Sequence, residues 1–358
     1  MSGRTRLTSA TFGLPVQRIR EGYYTDQYFN LTKQTLELED HHPHVLMQVF
    51  QKKDSILGGI DEAIAVLREC SGAIGDDGLW ADGWDRLKVS ALYEGDTISP
   101  GEPVMYIEGD YALFAHLETV YLGCMARRTL VMRNVRAVVD AARGKPIWFF
   151  PARHDHWLVQ TGDGWSAHVA GAIGVSTDAQ ASWWGGRGMG TVPHGLIAAY
   201  NGDTVRAARV FAERFAPDMN VTVLVDWEND SVGTALAVAE ALGDDLWGVR
   251  LDTSERLEDR SLEGTGLRGV QPALVEKVRA ALDDAGFGRV CIAVSGGFNA
   301  DRIAAFEEAG VPVDAYGVGS SLLRGSNDFT ADVVMVDDKP CAKAGRGHAA
   351  SDRLELVA

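Results

Sequence analysis

The sequence predicts an α/β protein: an irregular parallel α/β barrel joined to an N-terminal α+β domain. Three observations predict it. After Gly144-Lys-Pro146, short apolar runs alternate with helical patterns, the signature of a parallel sheet with crossover helices. Those runs, seven in roughly 180 residues, favour closure into a barrel over an open doubly wound sheet, which is the alternative. Before that junction the alternation is missing, and β-branched stretches and turn signals mix with single helices.

The bulk numbers bound the function. At 358 residues, 46% apolar and 23% charged, the chain has the composition of a globular protein with one large or two ordinary domains. The texture change assigns residues 1–145 to the first domain, with 331–358 returning to it, and 146–330 to the barrel. A net charge of −16 argues against a nucleic-acid binder, which needs a basic face to displace counterions from phosphates. There is no apolar run of about 18 residues and no N-terminal apolar core of a signal, so neither a membrane span nor export is expected and the predicted location is cytoplasmic. Cys70, Cys124, Cys291 and Cys341 form no C-x-x-C pair, which argues against a zinc site or a disulfide framework.

Taken in order, residues 1–22 read as an arm or a first turn packed late. Residues 23–37 suggest a helix with Thr25 or Asp26 as N-cap and with Tyr28 and Lys33 near its start. Residues 45–50 read as a strand, and 56–68 as a helix with Ile60, Ala63, Ile64 and Leu67 on one face. Short strands around two turn signals fill 87–109. Residues 111–143 carry one long helical pattern, expected to be interrupted near 127–133. Its arginines, Arg127, Arg128, Arg133 and Arg136, form either a solvated face or a cluster aimed at pyrophosphate. Beyond the junction, strands are expected at 147–150, 171–175, 188–192, 221–225, 246–251, 290–294 and 313–318. Helices are expected at 231–242, 272–285 and 299–309.

Chemistry in a parallel barrel collects beyond the C-terminal strand ends. Those positions hold Arg153 and His154, Ser176 and Thr177, Thr191 and His194, Asp226, Arg250 with Asp252, Ser295-Gly-Gly297, and Gly317-Val-Gly-Ser320. His194 follows a glycine-rich stretch and opens an apolar helical segment, where amides favour an anion. The arginines offer planar forks to carboxylate or phosphate oxygens. Asp226 and Asp252 can accept from ribose hydroxyls or hold Mg²⁺, which binds substrate phosphates through one or two carboxylates. The glycine turns can cradle a monophosphate with free amides. As a set these residues point to a phosphorylated ribose ligand.

Thr25-Asp-Gln-Tyr28, Ala152-Arg-His154, Gly174-Val-Ser-Thr177, Gly190-Thr-Val-Pro-His194, Val225-Asp226, Arg250-Leu-Asp252, Val294-Ser-Gly-Gly297 and Gly317-Val-Gly319 together resemble the nicotinate phosphoribosyltransferases of the shorter archaeal and bacterial type. The resemblance runs over nearly the whole chain. It implies an N-terminal α/β domain, an irregular barrel, and a homodimer or higher oligomer with sites at the subunit interface. It implies transfer from phosphoribosyl pyrophosphate to nicotinate with Mg²⁺, and ATP as co-substrate through a phosphorylated histidine, His194 by position. It places Arg153 on nicotinate, His154 and Thr177 beside the substrate, and Tyr28 of the partner subunit on the ring. Asp226, Arg250 and Asp252 then face ribose and pyrophosphate, with Mg²⁺ held by the two aspartates through the pyrophosphate. Ser295, Gly296, Gly297, Gly317, Val318 and Gly319 take the 5′-phosphate.

Related nicotinamide enzymes carry an acid in the turn matching Gly174–Thr177, and the neutral Ser176 favours the acid substrate over the amide. Nicotinamide or quinolinate transfer, or a phosphoribosyl-binding barrel without turnover, are the alternatives. The cysteine-rich zinc tail of some archaeal relatives is not carried over, since only Cys341 lies near the matching positions.

Overall fold

The computed structural model describes residues 4–357. The chain divides into two compact units: the residues up to Arg133 together with those from Gly325 onward, and Asn134–Arg324.

In the first unit, residues 87–91 alternate buried and more exposed side chains, as a strand with one covered face does, whereas residues 47–50 are buried in succession. Its elements are α1 (Val16–Arg20), α2 (Gln27–Leu38), β1 (His44–Phe50), β2 (Ser55–Ile56), α3 (Ile60–Cys70), β3 (Gly72–Ile74), β4 (Trp80–Asp82), β5 (Leu87–Ala91), β6 (Thr97–Ile98), β7 (Pro103–Asp110) and α4 (Glu118–Ala141). Antiparallel pairing joins β1 to β7 and β7 to β5. α3 lays Ile60, Ala63, Ile64 and Leu67 into the same core as Val49, Val89 and Ile107.

α4 corrects one expectation: it runs without a break through 127–133. That stretch contains neither glycine nor proline, so nothing interrupts the hydrogen-bond ladder. Arg128 turns inward to an ion pair with Glu62, Nε to Oε2 at 3.0 Å, with both side chains nearly buried. The division between the units falls inside this helix, so the Gly144-Lys-Pro146 signal marks the end of α4 rather than the change of unit.

The second unit contains β8 (Ile147–Phe149), α5 (Gln160–Val169), β9 (Gly174–Val175), α6 (Asp178–Ala181), α7 (His194–Ala199), α8 (Thr204–Phe215), β10 (Val221–Leu224), α9 (Ser231–Leu242), β11 (Leu246–Leu251), α10 (Pro272–Asp284), β12 (Cys291–Val294), α11 (Ala300–Glu308) and β13 (Ala315–Val318). Its sheet is parallel throughout, in the order β10-β11-β12-β13-β8-β9. β8, β10 and β13 are buried along their whole length, as strands covered on both faces must be. Side-chain caps start several of the crossover helices: Asp203 before α8, Asp230 before α9 and Asn299 before α11.

The segment expected as a strand at 188–192 is not one. Val192 alone bridges Val223, and its N–H donates to the Thr222 carbonyl at 2.9 Å. The Met189 N–H donates to the Val175 carbonyl at 2.7 Å. Glycines flank Met189 and deprive the segment of side chains a ladder packs on, and Pro193 after Val192 removes a donor. An irregular stretch thus links the β9 and β10 edges of the curled sheet.

The last strands, β14 (Thr330–Val336), β15 (Lys339–Pro340) and β16 (Glu355–Leu356), pair within the first unit, whose sheet order is β15-β14-β1-β7-β5-β16. Among the described residues no helix is long and apolar enough to cross a membrane.

Candidate active site

Connections leave each parallel strand at its C-terminal end, and in the second unit residues from these surround a cavity of about 510 Å³. His194 is the first residue of α7, delivered there by the extended Pro193. Its Nε2 lies 2.9 Å from Oδ1 of Asp226, two residues beyond β10. The carboxylate accepts, so Nε2 carries the proton and Nδ1 keeps its lone pair. The hydrogen bond to Asp226 raises the imidazole above its ordinary range, and partial burial opposes it.

Asp252 follows β11, and its Oδ1 accepts from the Ser295 hydroxyl at 2.7 Å. One donor atom each from His194, Asp226 and Asp252 lie within 4.8 Å of one another. Asp252 at the cavity, with Asp226 behind His194, fits Mg²⁺, which takes one or two carboxylates and completes its shell from water and phosphate.

Arg250 sits in β11 with its guanidinium withdrawn from solvent. Burial lowers its pKa, whereas Asp252 and Asp226 raise it. Its Nε is buried without a hydrogen-bond partner, and the group lies 5.5 Å from the centre of the Phe150 ring. A cation held this way, with an unmet donor, suits an anionic ligand.

Gly296 and Gly297 are left-handed in succession, φ +85° and +70°, so consecutive amides can converge as an anion nest. Gly317 and Gly319 act differently. A Cβ at Gly317 would fall 2.7 Å from the Phe150 ring, and one at Gly319 3.1 Å from His154 Cε1, so these glycines make room for two lining rings.

The cavity brings together Arg153, His154, Ser176, His194, Arg250, Asp252, Ser295, Gly296, Gly297, Gly317 and Gly319. Asp226 reaches it through His194 rather than by lining it. Two residues expected at the site do not line this cavity. Thr177 is a helix cap: its hydroxyl oxygen accepts from the Gln180 N–H and donates to Gln160 Oε1, so it does not line the cavity. Val318 is fully buried between strands, because alternation along β13 points it away from its glycine neighbours. Tyr28, expected to act from a second copy, lies on α2 of the first unit and is 61% exposed.

Arg127, Arg128, Arg133 and Arg136 are also not among the lining residues. Sequence reasoning missed Phe150, Met189, Asn299 and Arg324, which do line it. Phe150 and Met189 fall inside segments expected as strands, and Arg324 stands too far beyond β13 for a strand-end rule to find.

Residues 26–129 match the family described as quinolinate phosphoribosyl transferase, N-terminal domain. The chain is 33% identical over 267 residues to a nicotinate phosphoribosyltransferase, pncB1, of Mycobacterium tuberculosis. That alignment covers 72% of this chain and 56% of the relative, so the chain spans about half the length of the curated relatives it matches. The solved nicotinate-nucleotide pyrophosphorylase of Pyrococcus furiosus superposes with a TM-score of 0.80 at 31% identity, over 96% of this chain and 85% of that one. The human nicotinic acid phosphoribosyltransferase, at 17% identity and a TM-score of 0.64 over 89% of this chain and 76% of its own, shares the fold.

Proposed function

The chain belongs to the type II phosphoribosyltransferase family, and from that premise we propose that it joins nicotinate to phosphoribosyl pyrophosphate, giving nicotinate mononucleotide and pyrophosphate in NAD salvage, with ATP hydrolysis coupled through a phosphorylated His194. The observation that carries this reading is Arg250, whose buried Nε has no hydrogen-bond partner, beside the His194–Asp226–Asp252 cluster, in a cavity bordered by the Gly296–Gly297 nest. It provides an anion site, a carboxylate pair and a phosphate cradle in one cavity.

The pyridine nitrogen brings its own lone pair, so the reaction needs no general base. The task left to the protein is positioning and charge stabilisation. Arg153 and Arg250 orient the nicotinate carboxylate and the leaving pyrophosphate. Ser176 donates its hydroxyl proton to the Phe149 carbonyl at 2.9 Å and adds no charge that would repel a carboxylate. The amides of Gly296 and Gly297 take the 5′-phosphate, with His154 and Gly319 at the opposite turn. Tyr28 of a second copy stacks on the ring in a homodimer or higher oligomer.

Asp226 and Asp252 would hold Mg²⁺ through the pyrophosphate, and the ion when bound would neutralise charge on the leaving group. Asp226 also keeps the His194 proton on Nε2, leaving Nδ1 to accept the phosphoryl group of ATP. The added negative charge beside the carboxylates strengthens the demand for a cation there.

Pyrophosphate release from phosphoribosyl pyrophosphate, measured with nicotinate, nicotinamide and quinolinate in turn and with or without ATP, tests the proposal. Release dependent on nicotinate and stimulated by ATP is expected. Release supported equally by nicotinamide or quinolinate, or none with any pyridine, overturns it.

A further inference from the structure

Ser295 precedes the glycine nest, where a hydroxyl is expected to donate to phosphate. In the structure that hydroxyl is engaged elsewhere. Oγ lies 2.7 Å from Asp252 Oδ1 and 3.3 Å from the Leu251 carbonyl, and the residue is only 6% exposed. A serine has one hydroxyl proton, and an ionised carboxylate at the shorter distance is the stronger acceptor. The proton therefore goes to Asp252, and Ser295 has none left for a ligand.

A second contact converges on the same oxygen. A Cβ at Gly296 would stand 3.2 Å from Asp252 Oδ1, so the backbone of the nest itself closes against that atom. The nest is fixed in turn by Arg302, whose Nη1 donates to the Gly296 carbonyl at 2.8 Å and whose Nη2 donates to the Val270 carbonyl. The Arg302 guanidinium lies 4.2 Å from the centre of the Phe298 ring. With Oδ1 accepting from Ser295 and facing the Gly296 backbone, Oδ2 is the Asp252 oxygen left without that restraint.

We propose that Ser295 is a positioning residue rather than a phosphate ligand: it fixes the rotation of Asp252 to the turn that receives the 5′-phosphate, so one piece of backbone sets both. This rests on the reading of the cavity as a phosphoribosyl site. A ligand must then carry a phosphate and a ribose hydroxyl or pyrophosphate oxygen at a fixed separation to engage nest and carboxylate together. Inorganic phosphate or a bare phosphate monoester engages only the nest. Losing the hydroxyl should leave phosphate affinity intact and impair the step that depends on Asp252.

Steady-state pyrophosphate release by the full chain, compared for wild type, Ser295→Ala and Ser295→Thr, tests this, with calorimetric binding of phosphoribosyl pyrophosphate alongside. Ser295→Ala is expected to lower kcat about tenfold or more, the scale of one hydrogen bond to a charged group. Its KM and binding constant for phosphoribosyl pyrophosphate should stay within about threefold of wild type, and Ser295→Thr, which keeps the hydroxyl, should restore kcat. A raised KM with unchanged kcat in Ser295→Ala would mean that the hydroxyl meets phosphate, and overturns the proposal. So does a Ser295→Thr variant as slow as Ser295→Ala.

If Ser295→Ala loses its melting transition, Ser295→Cys takes its place. The thiol donates weakly, and equal kcat for Cys and Thr overturns the positioning role. The two failures are separable: wild-type protein that releases no pyrophosphate overturns the phosphoribosyl reading itself, whereas turnover indifferent to the Ser295 hydroxyl overturns only the role given to Ser295.

Discussion

Asp226→Asn changes one atom and probes the pair on which ATP coupling is argued to depend. In the native site the carboxylate accepts from His194 Nε2 at 2.9 Å, with the aspartate side chain 9% and the histidine side chain 41% exposed. A hydrogen bond to a charged group contributes about 1.5–3 kcal/mol, and the exposure of the ring places this one near the lower end. Loss of the bond alone should slow phosphorylation of His194 about tenfold. Asparagine can also present its NH₂ to Nε2, which would move the ring proton to Nδ1 and block the nucleophile. The corresponding tautomer inversion in serine-protease triads costs about 10⁴.

Acid-labile phosphate incorporated from ATP measures the rate, and NMR titration of the His194 ring protons measures the pair. Because Asp226 raises the imidazole pKa, the pair's contribution to stability is fully present below the ordinary range of about 6.5 and fades as pH rises through the elevated folded value. The melting deficit of Asp226→Asn should therefore narrow with rising pH. A His194 that titrates at the same pH in both proteins, with labelling unchanged, would refute the reasoning.

Ser176→Asp places a carboxylate in the cavity and should shift preference from nicotinate toward nicotinamide by at least about tenfold in kcat/KM, read from competition between the two pyridines. Gly296→Ala puts a Cβ on a residue at φ +85° and 3.2 Å from Asp252 Oδ1, so it should cost about 1–2 kcal/mol in denaturant melts and raise KM for phosphoribosyl pyrophosphate more than for nicotinate. Glu94 is partly buried, and withdrawal of its carboxyl from water first and Asp61 next hold that carboxyl at about 8. A raised folded pKa means that stability falls as pH rises from about 4.3 through 8, and Glu94→Gln should flatten that slope in thermal melts.

What was legible in the sequence follows from how local each signal is. β11 and α9 fall where the pattern put them, because an uninterrupted apolar run and a capped helical repeat contain their own boundaries. The gathering of Arg153, His194, Asp252 and Gly296 at one mouth was also legible, since parallel strands turn a list of strand ends into a place. Thr177 shows the limit. A hydroxyl at a strand end can face the ligand or cap the next helix, and Gln180 three residues on, completing a capping box, decided for the cap. Phe150 was lost to the opposite error, since a search for polar groups passes over an aromatic ring that lines the cavity while Gly317 makes space for it.

The failed strand at 188–192 explains the placement of His194. Had this segment paired along its length, it would have lengthened the sheet and carried its chain on in strand geometry. Instead it touches β9 once, through Met189, and β10 once, through Val192, and the extended Pro193 then starts α7 immediately at His194. Two backbone contacts fix the height of the segment, and the helix start turns the ring across β10 onto Asp226. The glycines that weaken the strand signal are therefore tied to the chemistry, because they leave the segment free to close the curled sheet by isolated contacts and present a histidine at the same step. Filling Gly188 makes the cost concrete: a Cβ there would stand 2.7 Å from the Thr177 backbone, so the β9 turn and the approach to His194 could not both keep their places.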